Sequence, residues 1–329
     1  MNDFSARPAD FSELLLRLYR LSQELPIALF QDAVLAQIKL VLPFDSSMWG
    51  TATTTDHGID IHTVHLYEQP AEMLTAYEAV KHQDTAAASL VGLPRVTGRF
   101  HLPTWLDRPG TQEALEVSRR FQMQNIFISV ESQPHLNFVH WITLFRADKE
   151  AHCTEDERSL MSQLAPHVMQ ALAMNRMIHL ERLEQADHAL SPHGAAIADT
   201  RGTVYHADPQ FRALAEAEWS EWTGVALPAD FMSDLVRGTE KFIGRSIVMR
   251  PHVEHGLLFL KARPRCRADL LSPREHTVAH RIAKGESHKE IARALGNSPA
   301  TVRNQVQSIY AKLQVNSIAT LVEALRQAE

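Results

Sequence analysis

Three capped helix starts stand in close succession between Ser272 and Ser298, and no other feature limits the fold of this chain as tightly. Ser272 is an N-cap residue. Pro273 follows at the first helical position, where its missing N–H is no loss, and Glu275 stands three residues after the cap to close a capping box. Val278, Ile282 and Ala283 then form an apolar stripe at helical spacing, and Gly285 ends it. Ser287 and Glu290 repeat the box ahead of Ile291, Ala292 and Leu295, and Gly296-Asn297 makes a turn. Ser298 caps a third helix, with Pro299 at its first position.

Val302, Val306, Ile309 and Leu313 recur at i, i+4, i+7 and i+11, which makes them one buried face of that third helix. Ala300, Arg303, Asn304, Gln307 and Ala311 therefore point away from the core. Arg, Asn and Gln are side chains that make bidentate contacts to guanine or adenine edges in the major groove. A helix with such a face, behind a short capped helix and a tight turn, meets the needs of a recognition helix, and the partner it implies is double-stranded DNA. The plainer alternative is a small helical bundle with a charged surface. A fourth helix starts near Asn316-Ser317 and carries Ile318, Leu321, Val322 and Leu325.

These residues resemble the LuxR-type helix-turn-helix domain, whose usual pattern runs L-T-P-R-E, G-x-S-x-K-E-I-A, T-V-K-x-H and I-x-x-K-L-x-V. The chain keeps Pro273, Arg274, Glu275, Gly285, Ser287, Lys289, Glu290, Ile291 and Ala292, then Leu295, Thr301, Val302, Ile309, Lys312, Leu313 and Val315. It departs at Arg303, Gln305 and Gln314, where Lys, His and Gly are common, and those departures bear on the target sequence rather than on the fold. The resemblance covers roughly the last fifth of the chain and implies base contacts from Arg303, Asn304 and Gln307. It implies phosphate contacts from Lys289, Thr301, Ser308 and Lys312. It also implies a homodimer paired through Ile318, Leu321, Val322 and Leu325 on a palindromic site. A bacterial, cytoplasmic transcription regulator follows from the same likeness, with RNA polymerase as a candidate partner.

At about 150 residues per domain, 329 residues make two or three domains. The net charge of -6 argues against nucleic acid until its distribution is read. Residues 261–329 hold 12 Lys+Arg against 6 Asp+Glu, and the rest of the chain carries a net -12. A basic segment on an acidic body is the footprint of a DNA-binding module on a sensor or effector body. Arg263, Arg265 and Arg267 precede the module, either as phosphate contacts or as a solvated linker. Cys153 and Cys266 lack metal-type spacing and suit a reducing compartment. No signal peptide and no membrane span is expected.

The first half reads as helices from Asp10 and from Leu25 to Val41, then two alternating strands at 46–55 and 59–67. Helical stretches at 70–91 and 111–122 follow, separated by a loop rich in Pro and Gly, and two further strands run over 125–132 and 137–146. This order is an α+β arrangement, not a parallel α/β one. It is similar to a GAF-like sensor domain, through the run from Trp141 to Arg146 leading to Thr154 and Glu157. Trp49, Tyr67, Tyr77 and Trp141 are candidates to line an effector pocket, with plain core packing as the alternative. Residues 154–184 read as one long helix. Leu164, Val168, Ala171 and Ile178 stand at near-heptad spacing with Asn175 at one seam position, which suits either a dimer coiled coil or packing on its own domain.

Beyond Asp187 a strand, an Asp–Gly turn, a second strand and the start of a helix at Asp208 resemble the opening of a PAS domain. The expected layout is a GAF-like domain over 1–153, a connecting helix over 154–187, a small PAS-like domain over 188–265 and an all-α four-helix DNA-binding domain over 266–329. No phosphate-binding Gly-rich loop, phosphoacceptor pattern or catalytic constellation stands out, so no enzyme activity is expected. His57, His62 and His65 cluster in one hairpin and His135 and His140 in another; the first three do not converge on one face, so no metal site is expected, and no cofactor is expected either. The body is expected to sense a small molecule. Control by a protein partner, without a ligand, is the alternative.

Overall fold

Alternating sequence builds the first half of the chain into one sheet. In the computed structural model, which describes residues 8–55, 58–90, 92–133, 138–186 and 194–328, β1 (Ser46–Thr55), β2 (Gly58–Tyr67), β3 (Arg95–His101), β4 (Asn125–Gln133) and β5 (Phe138–Arg146) are antiparallel. Their order is β2-β1-β5-β4-β3. β3 lies where patterning predicts a loop. It is an edge strand whose Arg95 and Arg99 turn outward to Glu131 at 2.7 Å and Glu155 at 3.3 Å, so its charges and Gly98 hide the alternation.

The pleat sends alternate residues to two separate cores. Trp49, Phe127, Ile142 and Leu144 face one side, where α1 (Pro8–Glu24) and α2 (Ile27–Val41) supply Leu14, Leu18, Phe30 and Val34. Met48, Ala52, Ile128, Val130 and Trp141 face the other, covered by α3 (Glu72–Val80), α4 (Thr85–Ala88), α5 (Leu102–Trp105) and α6 (Gln112–Arg120). Gly50 lets Trp141 lie across β1, since a Cβ there would sit 2.1 Å from the Thr63 carbonyl oxygen and 2.8 Å from the indole. The single helix expected over 70–91 is broken, because the Asp84 carboxylate caps a new start by accepting from the Ala86 and Ala87 amides.

α7 (Glu155–Ala186) starts at the expected Thr154–Glu157 box and is tied to the sheet by Arg146, which donates to both Glu157 oxygens. Leu164, Val168 and Ala171 are buried in the first core. Asn175 is 1% exposed and donates to the Ser22 and Leu25 carbonyls at 3.1 and 2.9 Å. These four positions pack on the chain's own α1 and α2 region, which is the intradomain alternative, while Ile178, the remaining seam position, is half-buried and outside that core.

The chain divides into two compact units, residues 1–181 and 182–329. The second opens with β6 (Gly194–Asp199), β7 (Val204–Ala207) and α8 (Pro209–Glu218), then adds α9 (Ala229–Val236), β8 (Phe242–Ile243), β9 (Ile247–Glu254) and β10 (Leu257–Pro264). The antiparallel order is β7-β6-β10-β9-β8. Asp199 holds the expected turn by accepting from the Arg201 and Thr203 amides, and Asp208 caps α8 through the Phe211 amide at 2.6 Å. A short 3-10 turn, Arg267–Leu270, leads to four helices: α10 (Pro273–Ala283), α11 (His288–Leu295), α12 (Pro299–Leu313) and α13 (Ile318–Arg326). No described helix is long and apolar enough to cross a membrane.

Candidate nucleic-acid interface and ligand cavity

Caps set the geometry of the helix pair α11 and α12. The Ser287 amide donates to Glu290 at 2.8 Å, Gly296 ends α11 at φ 66, and Ser298 Oγ accepts from the Thr301 amide at 3.1 Å. Positive φ is a conformation that glycine adopts without steric cost. Val302, Ile309 and Leu313 are buried, with Val306 packed against them. Arg303, Asn304 and Gln307 are all exposed on the opposite face of α12. The chain thus carries three exposed polar side chains on a helix whose other side is anchored.

Thr301, Ser308 and Lys312 border one groove, which they share with Ser272, Arg274 and Gln305. Lys289 stands apart, exposed in the first turn of α11. The Lys312 ammonium donates to the two Glu275 oxygens at 2.7 and 2.8 Å. That hydrogen bonding, with the Ser272 amide, holds the Glu275 carboxyl down at about 2. Glu275 therefore has a second role beyond its capping box. The pair joins residues 37 positions apart, and no local pattern announces it. Arg274 is exposed on the same groove.

Of the four residues expected to pair subunits, Leu321 and Leu325 are inside the module's own core, because α13 needs them to close the bundle. Ile318 is 51% exposed and Val322 half-buried, so these two alone remain accessible. Two of the three arginines before the module differ from both expectations. Arg263 is buried in an ion pair, Arg265 donates to the Gly244 carbonyl at 3.0 Å, and only Arg267 is exposed.

In the first unit, a cavity of about 100 Å³ opens between the sheet and α3–α6. Its walls are mostly apolar, and its polar corner is Tyr77 with Asp84, the phenol donating to Asp84 Oδ2 at 2.8 Å. Burial, then the neighbouring carboxylate, pushes the Tyr77 phenol well above its usual range. Tyr77 and Trp141 line the cavity as expected of pocket residues. Trp49 and Tyr67 do not: they pack with the α1/α2 core, since Trp49 has the opposite parity on β1 from Met48 and Ala52. Asp84, Met48 and Ile61 are among the other lining residues, and the alternation of β1 and β2 carries the signal for the last two.

Among the described residues no group of three metal-ligating side chains comes together. His57 and His135 lie outside them; His65 hydrogen-bonds Asp32, and His140 is half-buried, where loss of solvent and then the nearby Arg176 charge lower its ring to about 4. Both cysteines are free, and burial raises the Cys153 thiol to about 12, which suits an inert packing role.

Residues 269–325 match the family described as bacterial regulatory proteins, luxR family. A probable transcriptional regulatory protein NarL from Mycobacterium tuberculosis is 48% identical over 61 residues, 18% of this chain. The chain spans 28% of the length of the curated relatives it matches. Among solved structures, the N-acylhomoserine lactone dependent LuxR family transcription factor CepR2 from Burkholderia cenocepacia aligns with a TM-score of 0.40 at 17% identity, over 52% of this chain and 98% of that one. A phycocyanobilin-bound GAF domain from a cyanobacterial phytochrome aligns with a TM-score of 0.35 at 17% identity, over 52% and 96%. The chain therefore carries a luxR-family regulatory domain over residues 269–325.

Proposed function

We propose that the protein is a DNA-binding transcription regulator whose α12 enters the major groove and reads bases through Arg303, Asn304 and Gln307. The observation that carries this reading is the exposed polar face of α12, fixed opposite a fully buried one behind the capped α11. Thr301, Ser308, Lys312 and Lys289 contact phosphates, and Ile318 with Val322 supply what α13 offers to a second subunit. The protein works in the cytoplasm on a palindromic site, where RNA polymerase is a candidate partner. In a gel shift, Arg303→Ala loses about 1–3 kcal/mol of discrimination for the specific site and keeps nonspecific binding. Unchanged site preference contradicts base reading by this face.

Control by a small molecule is the reading the first unit supports, because its cavity is apolar with one convergent polar corner at Tyr77 and Asp84. Ala87 lines the cavity from α4. Ala87→Leu fills the space, and the expected result is loss of effector response with DNA binding retained. A response that survives the filled cavity favours control by a protein partner instead.

A further inference from the structure

Asp269 sits on the 3-10 turn between the second sheet and the helical module. Its carboxylate accepts two hydrogen bonds of 2.7 Å from Arg263 of β10, and the two side chains are 0% and 3% exposed. Lys241, from the segment ahead of β8, reaches the same carboxylate at 2.8 Å. Arg263 donates a further bond of 2.6 Å to the Ala328 carbonyl, just past α13. The same turn places Ala268 inside the module's core. The adjoining chain is also held, as the Arg265 amide donates to the Ser246 carbonyl at 2.7 Å.

One buried carboxylate thus gathers cations from two parts of the sheet domain, and one of those cations also grips the far end of the module. A small relative motion of sheet and module stretches these ion pairs while the surrounding chain still keeps water out, which disfavours it. The sheet's helical face is itself packed with aromatic rings, with Phe231 and Phe242 at 5.2 Å and Trp219 stacked on Phe242 at 5.8 Å.

We infer that residues 194–264 serve as the mount of the helical module, a platform that holds it in one orientation through the Arg263–Asp269–Lys241 clasp. The sheet and the four helices then open as one cooperative body rather than as two domains on a linker. This assignment does not depend on which effector, or which DNA site, the protein recognises.

Native-state hydrogen exchange of the full chain at increasing low denaturant tests it. In the wild type, the amides of Phe259 and Leu260 in β10 and of Ile309 and Leu321 in the module are expected to merge on one opening isotherm. Separate isotherms for β10 and the module overturn the inference before any variant is made. Asp269→Asn is expected to split the isotherm and speed exchange at Leu321 at least tenfold, with Ile142 in the first unit unchanged. Lys241→Met, at the rim of the clasp, is expected to raise the Leu321 rate about threefold without unfolding the module. Unchanged rates and one shared isotherm in both variants overturn the clasp as the joining element.

Discussion

At the scale of single residues, charge pairs decide which groups are available to a ligand. Lys312 is one of two cations on the groove, with Arg274, and in the free protein its ammonium is held by both oxygens of Glu275. Under the proposed function, a DNA phosphate shares Lys312 with a carboxylate already in place. The Glu275 carboxyl is depressed from 4.5 to about 2, so its ionised form is favoured in the folded state. Its contribution to stability is complete above pH 4.5 and is lost as pH falls toward about 2. Unfolding titrations of wild type and Glu275→Gln check this: the stability gap between them, present at pH 6, is expected to close across that window. A gap that does not change with pH refutes the pairing. Gln314 shows where a residue breaks its local rule. It occupies the C-cap of α12 at φ 54, a conformation suited to the glycine usual there, and its identity alone does not reveal that backbone.

At the scale of elements, caps and periodicity were legible and long-range partners were not. Ser272, Ser287 and Ser298 each accept the backbone bond their positions predict, and the buried face of α12 follows from spacing alone. The edge strand β3 was not legible, because an edge needs no apolar alternation on its outer side and its charges pair with Glu131 and Glu155. The heptad-like pattern in α7 was legible as burial but silent on the partner, which turned out to be α1 and α2 of the same chain. Asn175 makes that choice testable. Asn175→Ala leaves the Ser22 and Leu25 carbonyls buried without donors, a loss of about 1–3 kcal/mol. The denaturation midpoint should fall while the molar mass by light scattering stays the same. Dissociation of a dimer with no loss of stability would restore the coiled coil.

At the scale of the whole chain, the sequence divides into parts that differ in how much they disclose. The luxR-family domain is compact and rich in backbone-setting residues, so its fold and the exposed polar face of α12 follow from local rules. The cavity of the first unit is assembled from both sheet strands and covering helices, so strand parity decides membership and places Tyr77 and Trp141 inside but Trp49 outside. The joint at Asp269 needs partners from residues 241, 263 and 328, which no contiguous pattern foretells. Charge supports the same division, with a basic segment from 261 onward on an acidic remainder. Base reading by α12 is tested by selection of binding sites from a random DNA pool with wild type, Arg303→Ala and Gln307→Ala. Each variant is expected to relax preference at its own base position while the rest of the motif persists. Identical motifs from all three proteins, with only a uniform drop in affinity, would contradict it.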